Sequence, residues 1–424
     1  MEAPLPDAIR AARGWRGVLR DVPGLPFIMV TVALHMMMFG MLTPVMALYA
    51  QGFGIGEWQI GLMITVFAIG RLAADIPAGH AAPRIGLAPL LWGGPLLCGL
   101  GSVIGALGPD YTIVLAGRML QGVGSGIYMT AATIFCARAS SPANRGRVMA
   151  LFQGALLSGA AAGPALGGFA AGLMGLNGPF WVAGAIGLVT ALYAFFAFRR
   201  SAETSAPGRV RHDLRGSTAL LLMLPFLCVL LVNLAIFLTR TAAQWQMIPL
   251  MAADRFGMGA DAIGLALTLS ALTNLAVLPL AGILVDSVPR GRIIVVSLLA
   301  AAAALVLIVW ADSALAFYLG MIGMGAATGL GGPAVAAHAV DVVPEEAIGP
   351  AMGMLRFAGD CGYLVGPLSL GLLVDMALVG HGGAILINAA LLAGCSLIFV
   401  LFAGAPVRPG EPAPLRTHRG ENHD

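Results

Sequence analysis

Twelve stretches of roughly twenty mostly apolar residues, each long enough to cross about 30 Å of hydrocarbon as a helix, recur between residues 27 and 403. No other feature narrows the fold so far. Backbone in lipid must satisfy its own N–H and C=O groups, and barrel strands are much shorter and alternate in polarity, so runs of this length leave only helices. The expected spans are 27–49, 59–79, 89–107, 112–136, 148–172, 179–198, 220–251, 261–285, 293–311, 314–340, 349–376 and 381–403. Composition agrees, at 59% hydrophobic and 10% charged, far from the balance of soluble domains. The fold class is an all-α integral membrane protein with twelve transmembrane helices.

Charge placement predicts orientation. All 23 basic residues are Arg. With the N-terminus inside, 18 fall in cytoplasmic segments, Arg255 falls in an outer loop, and Arg71, Arg118, Arg240 and Arg356 fall within spans, which satisfies the positive-inside rule. Both termini are expected to be cytoplasmic, in a bacterial inner membrane. The first 26 residues, with Arg10, Arg13, Arg16 and Arg20, read as an uncleaved lead. The net charge of +3 follows from this topology and gives no ground for a nucleic-acid partner. Five scattered cysteines read as packing residues. No metal-ligand spacing, nucleotide loop or nucleophile motif is present, so neither an enzyme, a metal site nor a cofactor is expected.

The chain is a tandem duplication. Sliding the sequence by 203 residues aligns Ile60-Gly61-Leu62 with Ile263-Gly264-Leu265, Gly122 with Gly325, and Gly163, Pro164 and Gly168 with Gly366, Pro367 and Gly371. This gives a lead at 1–26, six-helix halves at 27–198 and 220–403, a cytoplasmic linker at 199–219 and a cytoplasmic tail at 404–424. Parallel halves related by an axis along the membrane normal are a transporter architecture, with the path between them. The repeated residues are mostly Gly and Pro, which let backbones approach or bend. Ionisable residues do not repeat: Arg71 aligns with Asn274, Asp75 with Leu278, Arg118 with Met321, Gln153 with Arg356 and Leu157 with Asp360. Because such groups are costly at membrane depth, these asymmetric positions are the foremost functional candidates.

Four signatures resemble those of the major facilitator superfamily, and the resemblance covers residues 27–403. "GRMLQGVGSG", 117–126, resembles the RxxQGxG signature through Arg118, Gln121, Gly122 and Gly124. "GAAAGPALGG", 159–168, with Gly159, Gly163, Pro164, Gly167 and Gly168, resembles the motif of the drug:proton antiporter-like exporting branches. The loop "GHAAPRIGLA", 79–88, resembles the loop signature between spans 2 and 3, with Pro83 replacing its aspartate. Its second-half copy, "GILVDSVPRGR", 282–292, retains Asp286, Arg290 and Arg292. The resemblance implies a latch on the cytoplasmic side there; a solvated turn is the plainer alternative. "MLRFAGDCGYLVGP", 354–367, looks like the counterpart of the span 5 motif, with Arg356 and Asp360 added.

Spans 2 and 11 each carry an Arg and an Asp four residues apart, on one helical face. At 1.5 Å per residue, Asp75 and Arg71 lie about 6 and 12 Å from the inner boundary, and Arg356 and Asp360 about 10 and 16 Å. If the spans face each other, as the resemblance implies, Asp75 meets Arg356 and Arg71 meets Asp360 in a crossed cluster that helps to close the cytoplasmic side. An intrahelical pair in each span is the alternative. Asp360 is the first expected proton carrier and Asp75 the second, with Arg118 tuning the carboxylate by resemblance. His35 stands in span 1 where many relatives carry an acid; a structural role and a proton role both stay open.

By the same resemblance, spans 1, 4, 7 and 10 are expected to line the path, with help from spans 5 and 8. Candidate cavity residues are His35, Gln153, Asn233, Arg240, Gln244, Trp245 and Asn274, with Tyr128. Arg240 is expected to meet an anionic substrate group, a carboxylate on another helix, or the outer interface by snorkelling. The function expected is alternating-access, proton-driven efflux of small, largely apolar drugs or metabolites by a monomer in the lipid bilayer. Uptake of an organic anion or nutrient, and a non-transporting sensor, are the alternatives.

Overall fold

Apolar side chains supply the drive to leave water, and the hydrogen-bonding demand of backbone in lipid makes every segment a helix. The computed structural model describes residues 22, 24–140, 145–198, 223–344 and 347–403. The linker at 199–219 and the tail at 404–424 lie outside the described residues, as does nearly all of the lead. Twelve helices follow in order: α1 (Leu25–Gln51), α2 (Glu57–Ile85), α3 (Ala88–Leu107), α4 (Tyr111–Ala139), α5 (Arg145–Met174), α6 (Gly178–Phe198), α7 (Leu224–Phe256), α8 (Ala260–Ser287), α9 (Arg290–Trp310), α10 (Ala314–Asp341), α11 (Ile348–Asp375) and α12 (His381–Phe402). Among the described residues, eleven are long and apolar enough to cross a membrane. The exception, α4, is made less apolar by Arg118, Gln121 and Arg138.

Three boundaries differ from the sequence reading. Helix α2 does not stop at residue 79 but runs to Ile85. Pro83 falls in its last turn, where the missing N–H forfeits a single bond, and Gly86 at φ 80° ends the helix. Most of the expected 79–88 loop is therefore helical. Likewise α8 continues to Ser287, which leaves only Val288 and Pro289 as its link to α9. Helix α7 extends to Phe256, beyond the expected end at 251.

We call the end where α1 begins and α12 finishes the base, and the opposite end the top. Within the first half α1 packs on α5, and α3 on both α4 and α6; within the second, α7 packs on α11, and α9 on both α10 and α12. The halves meet along two crossings, α5 with α8 and α2 with α11. These crossings obey the repeat. Gly61 faces the Pro367 carbonyl, and its mate Gly264 faces the Pro164 carbonyl; Gly371 faces the Glu57 carbonyl, and its mate Gly168 faces the Ala260 carbonyl. A Cβ at any of the four would collide with backbone, so glycine is what lets the helices touch.

All four contacts lie near the top. Further toward the base on the same helices, Gly154, Gly282 and Gly353 meet nothing within 4 Å, and Gly79 only grazes Thr130 at 4.0 Å. Among the described residues, the close glycine contacts and the hydrogen bonds between the halves all lie toward the top, the arrangement of halves that part toward the base.

Candidate functional site

The motif in α4 builds a buried polar knot just above mid-depth. Arg118 is 4% exposed. Its Nε donates to the Met63 carbonyl of α2 at 3.2 Å, and Nη1 donates to Gln121 Oε1 at 2.5 Å. Gln121 in turn donates to Ser102 Oγ of α3 at 2.8 Å. The Phe67 ring lies 4.8 Å from the guanidinium carbon. A buried cation without a carboxylate is tolerable only when its donors are met in this way. Beside the knot, His35 Nε2 of α1 lies 3.0 Å from Ser125 Oγ, and Tyr128 donates to Thr31 Oγ1 at 2.8 Å. His35 Nδ1 has no hydrogen-bond partner among the described residues.

Across the interface, Arg71 Nη2 stands 3.9 Å from Asp360 Oδ1, a contact between halves. Asp360 is 8% exposed. Arg71 lies fourteen residues from either end of α2, which puts the pair at mid-depth. The other crossed partners are apart. Asp75 accepts a hydrogen bond from Thr130 Oγ1 at 2.9 Å, while Arg356 is exposed and has no carboxylate at ion-pair distance among the described residues. Neither intrahelical pair forms among them. The made pair coexists with a parted base, so in this conformation the cluster does not close that side.

Helix α7 brings a feature that no sequence rule signalled. Its Thr239–Met247 segment is π-helical, between α-helical turns on either side. In an α-helix, residues five apart point about 140° from each other; the i→i+5 pitch of a π turn stacks them on one face. Arg240 is thereby laid against the face of Trp245, its guanidinium carbon 6.0 Å from the ring centre. Trp245 joins a chain of rings through both halves: Phe67 with Phe39 at 5.0 Å, Phe39 with Trp245 at 5.4 Å and Trp245 with Tyr363 at 5.6 Å. Arg240 lies sixteen residues from each end of α7, too deep to reach the outer interface. Two cavities flank Arg118, one beside His35 and Ser125 and one beside Trp245 and Tyr363, each with room for about one water.

Polar groups at the top fasten the halves. Asp375, at the end of α11, accepts from the Glu57 and Trp58 N–H groups at 2.8 and 2.7 Å, so it caps α2 of the other half. Gln246 donates to the Glu57 carbonyl at 2.9 Å, and Thr65 to that of Leu364 at 2.8 Å. His381 of α12 sits between carboxylates, Nδ1 2.9 Å from Asp254 and Nε2 3.2 Å from Glu57. Sequence reasoning passed over Glu57, Asp254, Asp375 and His381 because charges at span ends are ordinary. The one available signal was Asp375, an acid at a helix C-terminus, where the macrodipole disfavours it.

Several candidates are engaged within the second half: Asn233 donates to the Leu355 carbonyl at 2.6 Å, Gln244 to Ser270 Oγ at 3.1 Å and Asn274 to Thr328 Oγ1 at 3.0 Å. Gln153 is exposed on α5. Gly122 packs on the Phe67 carbonyl, Gly159 on that of Ala33, Gly163 on Gly40 and Gly366 on Leu238. At the base Arg290 pairs with Asp341 of α10 and donates to the Ala337 carbonyl and, within its own loop motif, to that of Val285. Arg292 is exposed, and the Asp286 side chain lies outside the described residues.

The Major Facilitator Superfamily profile matches residues 28–242 and again 226–422, a doubling that restates the internal repeat. "Multidrug resistance protein 2" of Bacillus subtilis (strain 168) is 30% identical over 179 residues, 42% of this chain and 44% of that protein. "Quinolone resistance protein NorA" of Staphylococcus aureus is 22% identical over 169 residues, 40% of this chain and 43% of that protein. The chain thus spans less than half the length of these curated relatives. A bacterial homologue of the human lysosomal transporter Spinster, solved inward-facing and unoccupied, superposes with a TM-score of 0.70 at 15% identity, over 92% of this chain and 96% of that one; at this identity the likeness shows the fold. With its twelve helices, its repeat and its doubled profile match, this multi-pass membrane protein belongs to the Major Facilitator Superfamily of membrane transporters, not to an enzyme family.

Proposed function

We propose that the chain exports small, largely apolar compounds across a bacterial inner membrane by alternating access, driven by inward proton flow, with both termini cytoplasmic. The observation that carries this reading is the Arg71–Asp360 pair, placed at mid-depth where the closed top gives way to the parted base. A carboxylate there can be reached from either side in turn. Once protonated it loses its attraction for Arg71, which loosens the contact between halves. An open base with the pair made is the state expected after a proton has left for the cytoplasm and before substrate arrives. The names of the relatives, multidrug and quinolone resistance proteins, support the outward direction.

Everted membrane vesicles energised by respiration test it, with the neutral dye phenylnaphthylamine as probe. The account expects uncoupler-sensitive accumulation above vector controls, reduced about tenfold or more by Asp360→Asn and partly kept by Asp360→Glu. An Asp360→Asn variant that transports normally overturns the assignment of this carboxylate. Uptake of an organic anion is the second reading, favoured by the uncompensated Arg240. It predicts accumulation in right-side-out vesicles and none in everted ones.

A further inference from the structure

We infer that the mid-depth space holds a subsite for the acidic group of an aromatic organic anion, formed by Arg240 with Trp245 and the Tyr363 hydroxyl. It deepens the exporter reading by naming the substrate class, and rests on that reading for the direction of movement.

Charge is the first argument. Arg118 lines the same cavity as Tyr363, Arg240 lies over the Trp245 ring that meets Tyr363, and Arg71 faces Asp360, three residues before Tyr363 in α11; among the described residues Asp360 is the one acid in this set of contacts. Three cations face one anion where ionisable groups are costly. Arg118 is spent on Met63 and Gln121, and Arg71 has Asp360 as its counter-ion at 3.9 Å, although its buried Nε is unpartnered among the described residues. Arg240 has no polar partner among the described residues, only the Trp245 ring face. Yet it is exposed while about 24 Å from either end of its helix. The Trp245 ring it lies over meets Phe39 of the other half, so this surface opens into the space between the halves.

The second argument is independent of charge. Tyr363 is 6% exposed, and its hydroxyl, on a residue that lines the cavity beside Trp245, has no hydrogen-bond partner among the described residues. A buried donor left empty is uncommon; an acceptor supplied by a ligand satisfies it. The rings of Phe39, Trp245 and Tyr363 meet edge to face, and Trp245, only half-buried, leaves part of its ring for a ligand ring to lie against. Because α7 runs from base to top, Arg240 lies on the base side of Trp245. A ligand rising from the open base meets the guanidinium with its acid and the indole with its ring. Carboxylate and sulfonate both suit the planar donor fork. The π segment makes the subsite possible, since α-helical geometry would turn the two side chains apart.

Two matched probes test this, anilinonaphthalenesulfonate and phenylnaphthylamine, which share their rings and differ in the sulfonate. Full-length protein in nanodiscs is titrated with each, and binding is read from probe fluorescence. The expected result is that the wild type prefers the sulfonate about tenfold or more. Arg240→Gln should erase that preference, weakening the sulfonate about tenfold while the neutral probe moves less than about twofold, and Arg240→Lys should keep part of it. Tyr363→Phe should weaken the sulfonate severalfold and spare the neutral probe. Equal loss of both probes in Arg240→Gln, or no loss of either, overturns the subsite; Tyr363→Phe serves the same comparison if Arg240→Gln fails to fold. In everted vesicles, sulfonate binding without gradient-driven transport leaves the subsite standing and removes the exporter reading. Transport of the neutral probe with no sulfonate preference does the reverse.

Discussion

Asp75 and Arg356 are the charges that the structure keeps apart, one held by Thr130 and the other exposed. They sit on the base side of the made pair, on the same two helices. On the proposed alternating access, closing the base would bring α2 and α11 together there and let a second cross-half ion pair replace the Thr130 bond. Asp75→Arg and Arg356→Asp singly should therefore each cut transport by about tenfold or more, and the double exchange should restore most of it. A double variant no better than the singles would exclude the contact. The four charges were visible in the sequence because they break both the apolar run and the repeat. Their pairing state was not, since it belongs to one conformation of the halves rather than to residue spacing. Tyr363 was invisible for another reason: a tyrosine among Gly, Leu and Val in a span gives no sign that its hydroxyl will lack a partner.

At the scale of helices, the glycine mates are the most informative residues. Gly61 with Pro367 and Gly264 with Pro164 make the same contact twice, as an offset of 203 requires. A methyl at either glycine must push the halves apart at the top, an overpacking cost of about 1–3 kcal/mol. Gly61→Ala and Gly264→Ala should thus slow vesicle transport by about tenfold, while Gly172→Ala, with nothing within 4 Å, leaves the rate unchanged; equal effects at all three would detach the crossings from transport. Spans, repeat and tight packing were legible because hydrophobic length and glycine placement are written residue by residue. The π segment of α7 was not. Nothing in "TRTAAQWQM" forbids α-helix, and the extra width answers to packing from neighbouring helices. The run of α2 past Pro83 escaped too, because a proline this far into a helix reads as a stop, and nothing in the sequence shows the packing that carries the helix on to Ile85.

The whole molecule is two rigid halves clasped at one end. The top clasp, His381 between Glu57 and Asp254, holds while the imidazole carries its proton. As pH rises and the proton leaves, the attraction disappears and two carboxylates of opposite halves face each other. The clasp is therefore present at low pH and lost on the alkaline side, in the range where histidine titrates. Rocking of the halves predicts that an opened top is matched by a closed base. Spin labels on Pro109 and Asp312 report the top, and labels on Ile85 and Ser287 report the base; all four positions are exposed. Of the native cysteines, Cys361 alone is not buried, and Cys361→Ser removes it. The deciding measurement is the two interlabel distances in one lipid-reconstituted preparation, taken from about pH 6 to about pH 9. The account predicts that the top distance lengthens while the base distance shortens, and that His381→Gln abolishes the response. Distances that stay fixed, or that lengthen together at both ends, would contradict it.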